Sequence, residues 1–170
     1  MSYIHSFPPI SDLTADRLIL GSMPGKASLA ANQYYAHPRN LFWPIIDTLF
    51  DIPAALPYSE RCQRLAAQGV ALWDVLRTCT RSSSLDSDIL DASIVPQDFA
   101  DFLRSHPCIR VIFFNGAKAE GVWRRHVGPG LPDDLAAIPT VRLPSTSPAN
   151  ASIPYPVKLR QWQAVTAPDA

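Results

Sequence analysis

Leu18-Ile19-Leu20-Gly21-Ser22-Met23-Pro24-Gly25 is an apolar run that breaks at a Gly/Pro-rich turn. Through Tyr34-Tyr35-Ala36-His37-Pro38-Arg39-Asn40-Leu41-Phe42-Trp43 the chain becomes a polar and aromatic loop and then a helix. An apolar stretch of this length bounded by turn residues reads as a central parallel strand. In open α/β sheets, ligands bind in the loop that leaves the carboxyl end of such a strand.

Working outward, residues 1–16 read as a polar, Pro-containing lead-in and residues 17–22 as the first strand. Leu41, Phe42, Ile45, Ile46, Leu49 and Phe50 recur on one helical face, and Pro44 is tolerable only in a first turn, so this helix starts close to Asn40. A second helix is expected over residues 59–68, with Ser59 as its N-cap and Gly69 as its stop. Residues 70–76 form a second buried strand interrupted by Asp74, and residues 77–88 a polar loop rich in serine and threonine. Phe99, Phe102 and Leu103 mark a helix stopped before Pro107. Residues 109–114 are the clearest strand, running into Asn115-Gly116 and a helix that ends near Val127. A Pro/Gly loop over residues 128–139 leads to a short strand, 140–143, which empties into Pro144-Ser145-Thr146-Ser147-Pro148-Ala149-Asn150. The last helix is expected over residues 156–165. Strands alternating with helices indicate βαβ crossovers, and hence an α/β fold: a three-layer α/β/α sandwich on a four-stranded parallel sheet.

The bulk properties fit one domain over residues 1–170. The chain of 170 residues is 47% hydrophobic and 18% charged, which excludes a disordered class. The formal net charge is zero, so attraction to nucleic acid requires a local patch. Lys26, Arg39, Lys118, Arg124, Arg125, Arg142, Lys158 and Arg160 are the cations near the loaded loops. Cys62, Cys79 and Cys108 are well separated, with no CxxC, and predict neither a disulfide framework nor a metal site. No leader or spanning segment is read from the sequence, so a soluble cytoplasmic protein is expected. Seventeen prolines against seven glycines fall mostly between the periodic segments and stiffen the loops that would form a site.

Several residues stand where chemistry and plain structure compete. Gly21 and Gly25 lack the Lys-Ser/Thr of a P-loop and the three glycines of a dinucleotide site, and a tight strand exit explains them equally. Asn40 reads as a helix N-cap or as an amide carbonyl that holds a water. Of Tyr34 and Tyr35, at least one ring is free to stack on a flat partner, and a base or a loop-anchoring hydrophobic contact would serve equally. Asp74 in an apolar strand must be hydrogen-bonded, paired, or facing a polar ligand, and Asn115 carries the same ambiguity without a charge. Ser145, Thr146 and Ser147 have no nucleophile elbow around them; they suit a phosphate grip or a capped turn.

Gly21-Ser22-Met23-Pro24-Gly25, His37-Pro38-Arg39-Asn40-Leu41-Phe42-Trp43 and Ser145-Thr146-Ser147-Pro148-Ala149-Asn150 together resemble the hypoxanthine-DNA glycosylase branch of the uracil-DNA glycosylase superfamily. The resemblance implies hydrolysis of an N-glycosidic bond in DNA at a flipped-out deaminated base, without metal or cofactor, by a monomer. It implies Asn40 as the water-positioning residue, since Ser22 and Met23 stand where relatives carry an acid or amide. Asn115, Ser145 and the first motif's backbone are then the donors that stabilise the departing base. Gly21, Ser22, Met23, Tyr35, Phe42 and Asp74 are expected around the base, with Asp74 accepting from N1–H of hypoxanthine. Gly25, Lys26, Arg39, Ser147, Pro148, Ala149 and Asn150 are expected on the DNA, with Ser147 on a phosphate and Ala149 as a small wedge. A uracil-preferring glycosylase, a silent DNA- or nucleotide-binding module of the same fold, and a hydrolase using Ser145 or Ser147 are the competing readings.

Overall fold

The computed structural model describes residues 2–167. Its centre is a four-stranded parallel sheet of β2 (Arg17–Gly21), β3 (Val70–Asp74), β6 (Val111–Asn115) and β7 (Thr140–Leu143), in the order β3-β2-β6-β7. A smaller antiparallel sheet, β1-β4-β5, is made by β1 (Ser2–His5), β4 (Leu76–Arg81) and β5 (Val95–Pro96). The helices are α1 (Lys26–Ala31), α2 (Phe42–Phe50), α3 (Tyr58–Ala67), α4 (Phe99–Ser105), α5 (Ala117–Val122), α6 (Asp133–Ala136) and α7 (Tyr155–Trp162).

The strand order places a topological switch point between β2 and β6. From β2 the chain moves outward to β3, then returns past β2 to β6 and on to β7. Right-handed crossovers, the rule for parallel connections, carry α1, α2 and α3 over one face and α4, α5 and α6 over the other. Two aromatic clusters mark these faces. Phe42 of α2 meets Trp43 at 5.0 Å and Trp162 of α7 at 6.0 Å. Phe99 of α4 meets Trp73 at 5.3 Å and Trp123 at 4.9 Å, and Trp123 also meets Phe114 at 5.6 Å.

Register then decides which side chains face the site. Leu20 is paired with Trp73 on one side and Phe114 on the other, so these three lie on the α4 face of the sheet. Side chains alternate along a strand. The next rung, where Gly21 pairs with Asp74 and stands beside Asn115, therefore points to the α2 face at the carboxyl end of the sheet. Leu18, Ile19 and Leu20 below it are completely buried.

Several expectations are corrected. The lead-in is not all irregular: β1 pairs with β4 from Ser2↔Arg81 to His5↔Thr78. Residues 77–88 are likewise not one loop, because β4 occupies their first part. The strand expected to reach residue 76 ends at Asp74; the N–H groups of Val75 and Leu76 turn to the carbonyls of Gly21 and Ser22, and the chain leaves for the second sheet. Ser59 is not an N-cap, since α3 starts at Tyr58 after Pro57 and has no side-chain cap. The stretch after Gly25 contains α1, which ends at Asn32 in the left-handed conformation. Pro44 does lie in the first turn of α2. The helix after Gly116 continues from α5 as a π-helical turn over Trp123–Val127, and α6 interrupts the loop expected over residues 128–139.

Candidate active site

A cavity of about 780 Å³ opens at the carboxyl ends of β2, β3, β6 and β7, a size typical of small-molecule sites. Its lining draws on every stretch with a chemical signature: Gly21, Ser22, Met23, Gly25 and Lys26; Tyr35 and Asn40; Asp74; Asn115; and Ser145, Ser147, Pro148, Ala149 and Asn150. Phe42 and Arg39 are the exceptions. Phe42 is 0% exposed and stacks beneath Tyr35 with ring centroids 4.2 Å apart, so it backs the wall and does not form it. Arg39 is exposed, and its backbone N–H donates to His37 Nδ1 at 3.1 Å on the rim.

The floor is the rung Asp74–Gly21–Asn115. Glycine is required in its middle, because a Cβ there would stand 2.6 Å from Asp74 Oδ1 and 2.8 Å from the Tyr35 hydroxyl. Asp74 is 3% exposed, and its Oδ2 accepts from the Ser6 hydroxyl at 2.8 Å while Oδ1 has no protein donor. Burial, reinforced by the charge of Asp86, pushes this carboxyl up to about 7, against the pull of the Ser6 bond and Arg81. The Tyr35 hydroxyl is buried and makes no hydrogen bond of good geometry among the described residues, with the Asn115 side chain near enough to favour its ionised form. Burial and the Asp74 charge hold its phenol well above the ordinary value.

Thr146 ties the far wall together. Its N–H donates to Asn115 Oδ1 and its Oγ1 accepts from Asn115 Nδ2, both at 3.0 Å, while its carbonyl accepts from Leu41 N–H at 3.0 Å. One residue thus links the exit of β6 to the start of α2. Ser145 Oγ accepts from Ser147 N–H at 3.2 Å, and Asn150 Nδ2 donates to the Ser145 carbonyl at 3.2 Å. Gly116, at φ +99, leaves room for Ser145, whose Cβ would lie 3.1 Å from an added Cβ. Lys158, 2% exposed, donates from Nζ to the Asn150 carbonyl at 2.6 Å. It is a loop anchor rather than a free cation, and burial lowers its ammonium below the ordinary value. Of the basic residues marked in the sequence, Lys26, Lys118 and Arg142 line the cavity. Lys118 also pairs with Asp91 at 3.1 Å and Arg142 with Glu120 at 3.6 Å.

Asn40 is not the N-cap, which is Leu41; it stands one position earlier, and across a two-residue turn its Oδ1 accepts from Phe42 N–H at 2.9 Å. A carbonyl oxygen has two lone pairs, so one remains for the cavity.

Two residues carry no sequence signal. Asp86 lines the cavity, and its Oδ1 accepts from the Ser22 hydroxyl at 2.6 Å. Burial raises its carboxyl above the ordinary value, opposed by the Ser22 bond and the charges of Arg81 and Lys118. Arg81 is buried behind the first motif, where Nη2 donates to the Pro24 carbonyl at 2.5 Å and Nε and Nη1 have no partner. Among the described residues there is no cluster of metal-ligating side chains, and no helix is long and apolar enough to cross a membrane. The three cysteines are unpaired.

Comparison with known proteins agrees with this geometry. The uracil DNA glycosylase superfamily profile matches residues 8–165. The chain is 33% identical over 114 residues to a hypoxanthine DNA glycosylase of Methanosarcina barkeri, covering 66% of this chain and 71% of that protein. It is 35% identical over 114 residues to the protein of the same name from Methanosarcina acetivorans, with the same coverage. A solution NMR structure from Methanosarcina acetivorans, provisionally named a uracil DNA glycosylase, superposes with a TM-score of 0.79 at 31% identity, over 97% of each chain. With the profile spanning nearly the whole chain and the cavity lying at the switch point of the sheet, the protein belongs to the uracil DNA glycosylase superfamily.

Proposed function

We propose that this glycosylase hydrolyses the N-glycosidic bond of a deaminated base in DNA, with deoxyinosine as its principal substrate. Family membership and the two relatives named hypoxanthine DNA glycosylase support the reaction class and the base. The target nucleotide is flipped into the cavity, because its glycosidic bond is out of reach within the stack. The observation that carries the choice of base is Asp74, a buried carboxylate on the cavity floor with one oxygen unclaimed by the protein. Ionised, it accepts from N1–H of hypoxanthine, where adenine presents a lone pair and is repelled.

Tyr35 lies along the base, and Asn40 orients the attacking water with its remaining lone pair. As the bond stretches, the sugar becomes oxocarbenium-like and the base gains negative charge. Asn115, Ser145 and the backbone of Gly21, Ser22 and Met23 stabilise that charge; losing one preorganised donor of this kind costs about 2.7–4 kcal/mol. Lys26, Ser147, Pro148, Ala149 and Asn150 meet the DNA around the extruded nucleotide. The reaction uses no cofactor and is carried out by a monomer.

Single-turnover incubation with duplexes carrying inosine, uracil or xanthine, followed by alkaline cleavage of abasic sites, tests the reading. Inosine is expected to be cleaved fastest, and Asn40→Ala to slow it by roughly 100-fold, the scale of a lost catalytic contact. Binding without abasic product from any duplex would mean a silent module, and uracil cleaved ahead of inosine would reassign the substrate.

A further inference from the structure

We infer that Asp86 is the general base of the reaction, held in place by Ser22. The inference rests on the hydrolytic reading above. Water that attacks C1′ must lose a proton, and the amide of Asn40 cannot take it at neutral pH. Three groups on the cavity wall can act as bases: His37, Asp74 and Asp86. His37 sits on the rim with Nδ1 already accepting from Arg39 N–H. Asp74 sits on the floor rung, committed to Ser6 and to the base edge. Asp86 is left. Its Oδ1 is fixed by the Ser22 hydroxyl at 2.6 Å, and among the described residues no donor meets its Oδ2.

The surroundings suit the role. Ser22 belongs to the first motif, beside Gly21 on the floor, so the hydrogen bond draws a loop carboxylate over the site. Arg81 of β4 and Lys118 of α5 favour its ionised form, while burial works against it. Asp74, Tyr35 and Cys79 are the other titratable groups that feel its charge. The result is a carboxylate more basic than a solvated one, the direction that proton abstraction near neutral pH favours.

In the step itself, the N9–C1′ bond breaks and its electron pair leaves with the base as the N9 anion. The water oxygen bonds to C1′, and Asp86 Oδ2 takes the water proton. The protonated carboxyl then returns that proton to the departed base through solvent. The products are neutral hypoxanthine and an abasic sugar, with Asp86 ionised again.

The test uses the full chain on an inosine duplex under single-turnover conditions, with wild type, Asp86→Asn, Asp86→Ala and Ser22→Ala side by side. General-base removal typically costs 100-fold to 10,000-fold, so Asp86→Asn is expected to fall by at least roughly 100-fold. Its affinity for a duplex carrying a non-cleavable 2′-fluoro inosine is expected to stay close to that of wild type, since a group that acts only in the transition state leaves ground-state binding in place. Added formate is expected to restore part of the Asp86→Ala rate, and the low-pH limb of the wild-type rate profile to become shallower in Asp86→Asn, keeping only the rise that Asp74 sets through about 7. Ser22→Ala, which loses the orienting bond and keeps the base, is expected to fall by roughly tenfold and to retain the limb. An active wild type with Asp86→Asn at the same rate overturns the assignment and leaves the deoxyinosine reading standing. So does a variant that loses rate and duplex affinity together and resists formate, which marks a merely structural aspartate. A wild type without inosine activity removes the reading and this assignment with it.

Discussion

Asn115 and Thr146 hold each other through two hydrogen bonds, carbonyl to backbone N–H and amide N–H to hydroxyl, each 3.0 Å long and buried. Removing one partner strands the other's polar atoms away from water, at a cost of about 1–3 kcal/mol. Asn115→Ala should therefore lower the urea midpoint and also slow inosine excision, because the loop carrying Ser145 and Ser147 loses its tie to β6. Thr146→Val removes only the hydroxyl half of the pair and should lose less of both. Equilibrium unfolding followed by single-turnover rates on the same preparations checks the order.

Asp74 makes stability depend on pH. Its folded-state value, about 7, lies above the ordinary 3.8, so between those values the native state binds the extra proton and the unfolded state does not. Stability from this group is greatest in acid and declines as pH rises through that window, by an amount on the order of 4 kcal/mol at most. Asp74→Asn should be no more stable than wild type near pH 4 and more stable at pH 8, with Ser6 still bonded to the amide oxygen. The difference between the two urea titration series isolates the contribution. In activity the same group runs the other way: wild-type inosine excision should rise with pH through about 7 as the acceptor forms.

Gly21→Ala should be disabling in spite of its size. The new methyl would stand 2.6 Å from Asp74 Oδ1 and 2.8 Å from the Tyr35 hydroxyl, and neither can retreat far inside the floor. Inosine excision should fall by more than roughly 100-fold while circular dichroism stays native, as expected when misplaced catalytic geometry outweighs a local strain of a few kcal/mol.

Tyr35→Phe should separate stability from function. The hydroxyl is buried with no hydrogen bond of good geometry among the described residues, so its removal from the free protein should be neutral or stabilising by about 1 kcal/mol. If the hydroxyl meets the extruded base, KM-level binding of the inosine duplex should weaken at the same time. A thermal melt and a titration with the non-cleavable duplex measure the two effects.

What was legible in the sequence was whatever repeats locally. Leu18, Ile19 and Leu20 announce a buried strand, Ile45, Ile46 and Phe50 a helical face, and Gly116 a strand exit, because apolar periodicity and turn residues act over short range. β4 was not legible: Arg77 and Arg81 break its alternation, and the partner strand lies more than seventy positions away at Ser2 to His5. Within the site, Tyr35 and Asp74 stood out by being aromatic in a loop and charged in an apolar strand. Phe42 could not be told apart from a base-facing ring, since stacking beneath Tyr35 is a tertiary fact. Asp86 is one acid of several in a serine-rich loop, and only the fold brings it to Ser22.

The floor rung has a consequence for how such a protein can change. Asp74, Gly21 and Asn115 stand one step beyond the apolar rung formed by Leu20, Trp73 and Phe114. If Asp74 reads the base edge as proposed, a new side chain there alters that reading while the packing below stays as it was. Because the central position has no side chain, none has to be repacked there when Asp74 changes. Base preference in this scaffold is thus an exchangeable fitting on a fixed chassis, and lineages can diverge in substrate without first rebuilding a core.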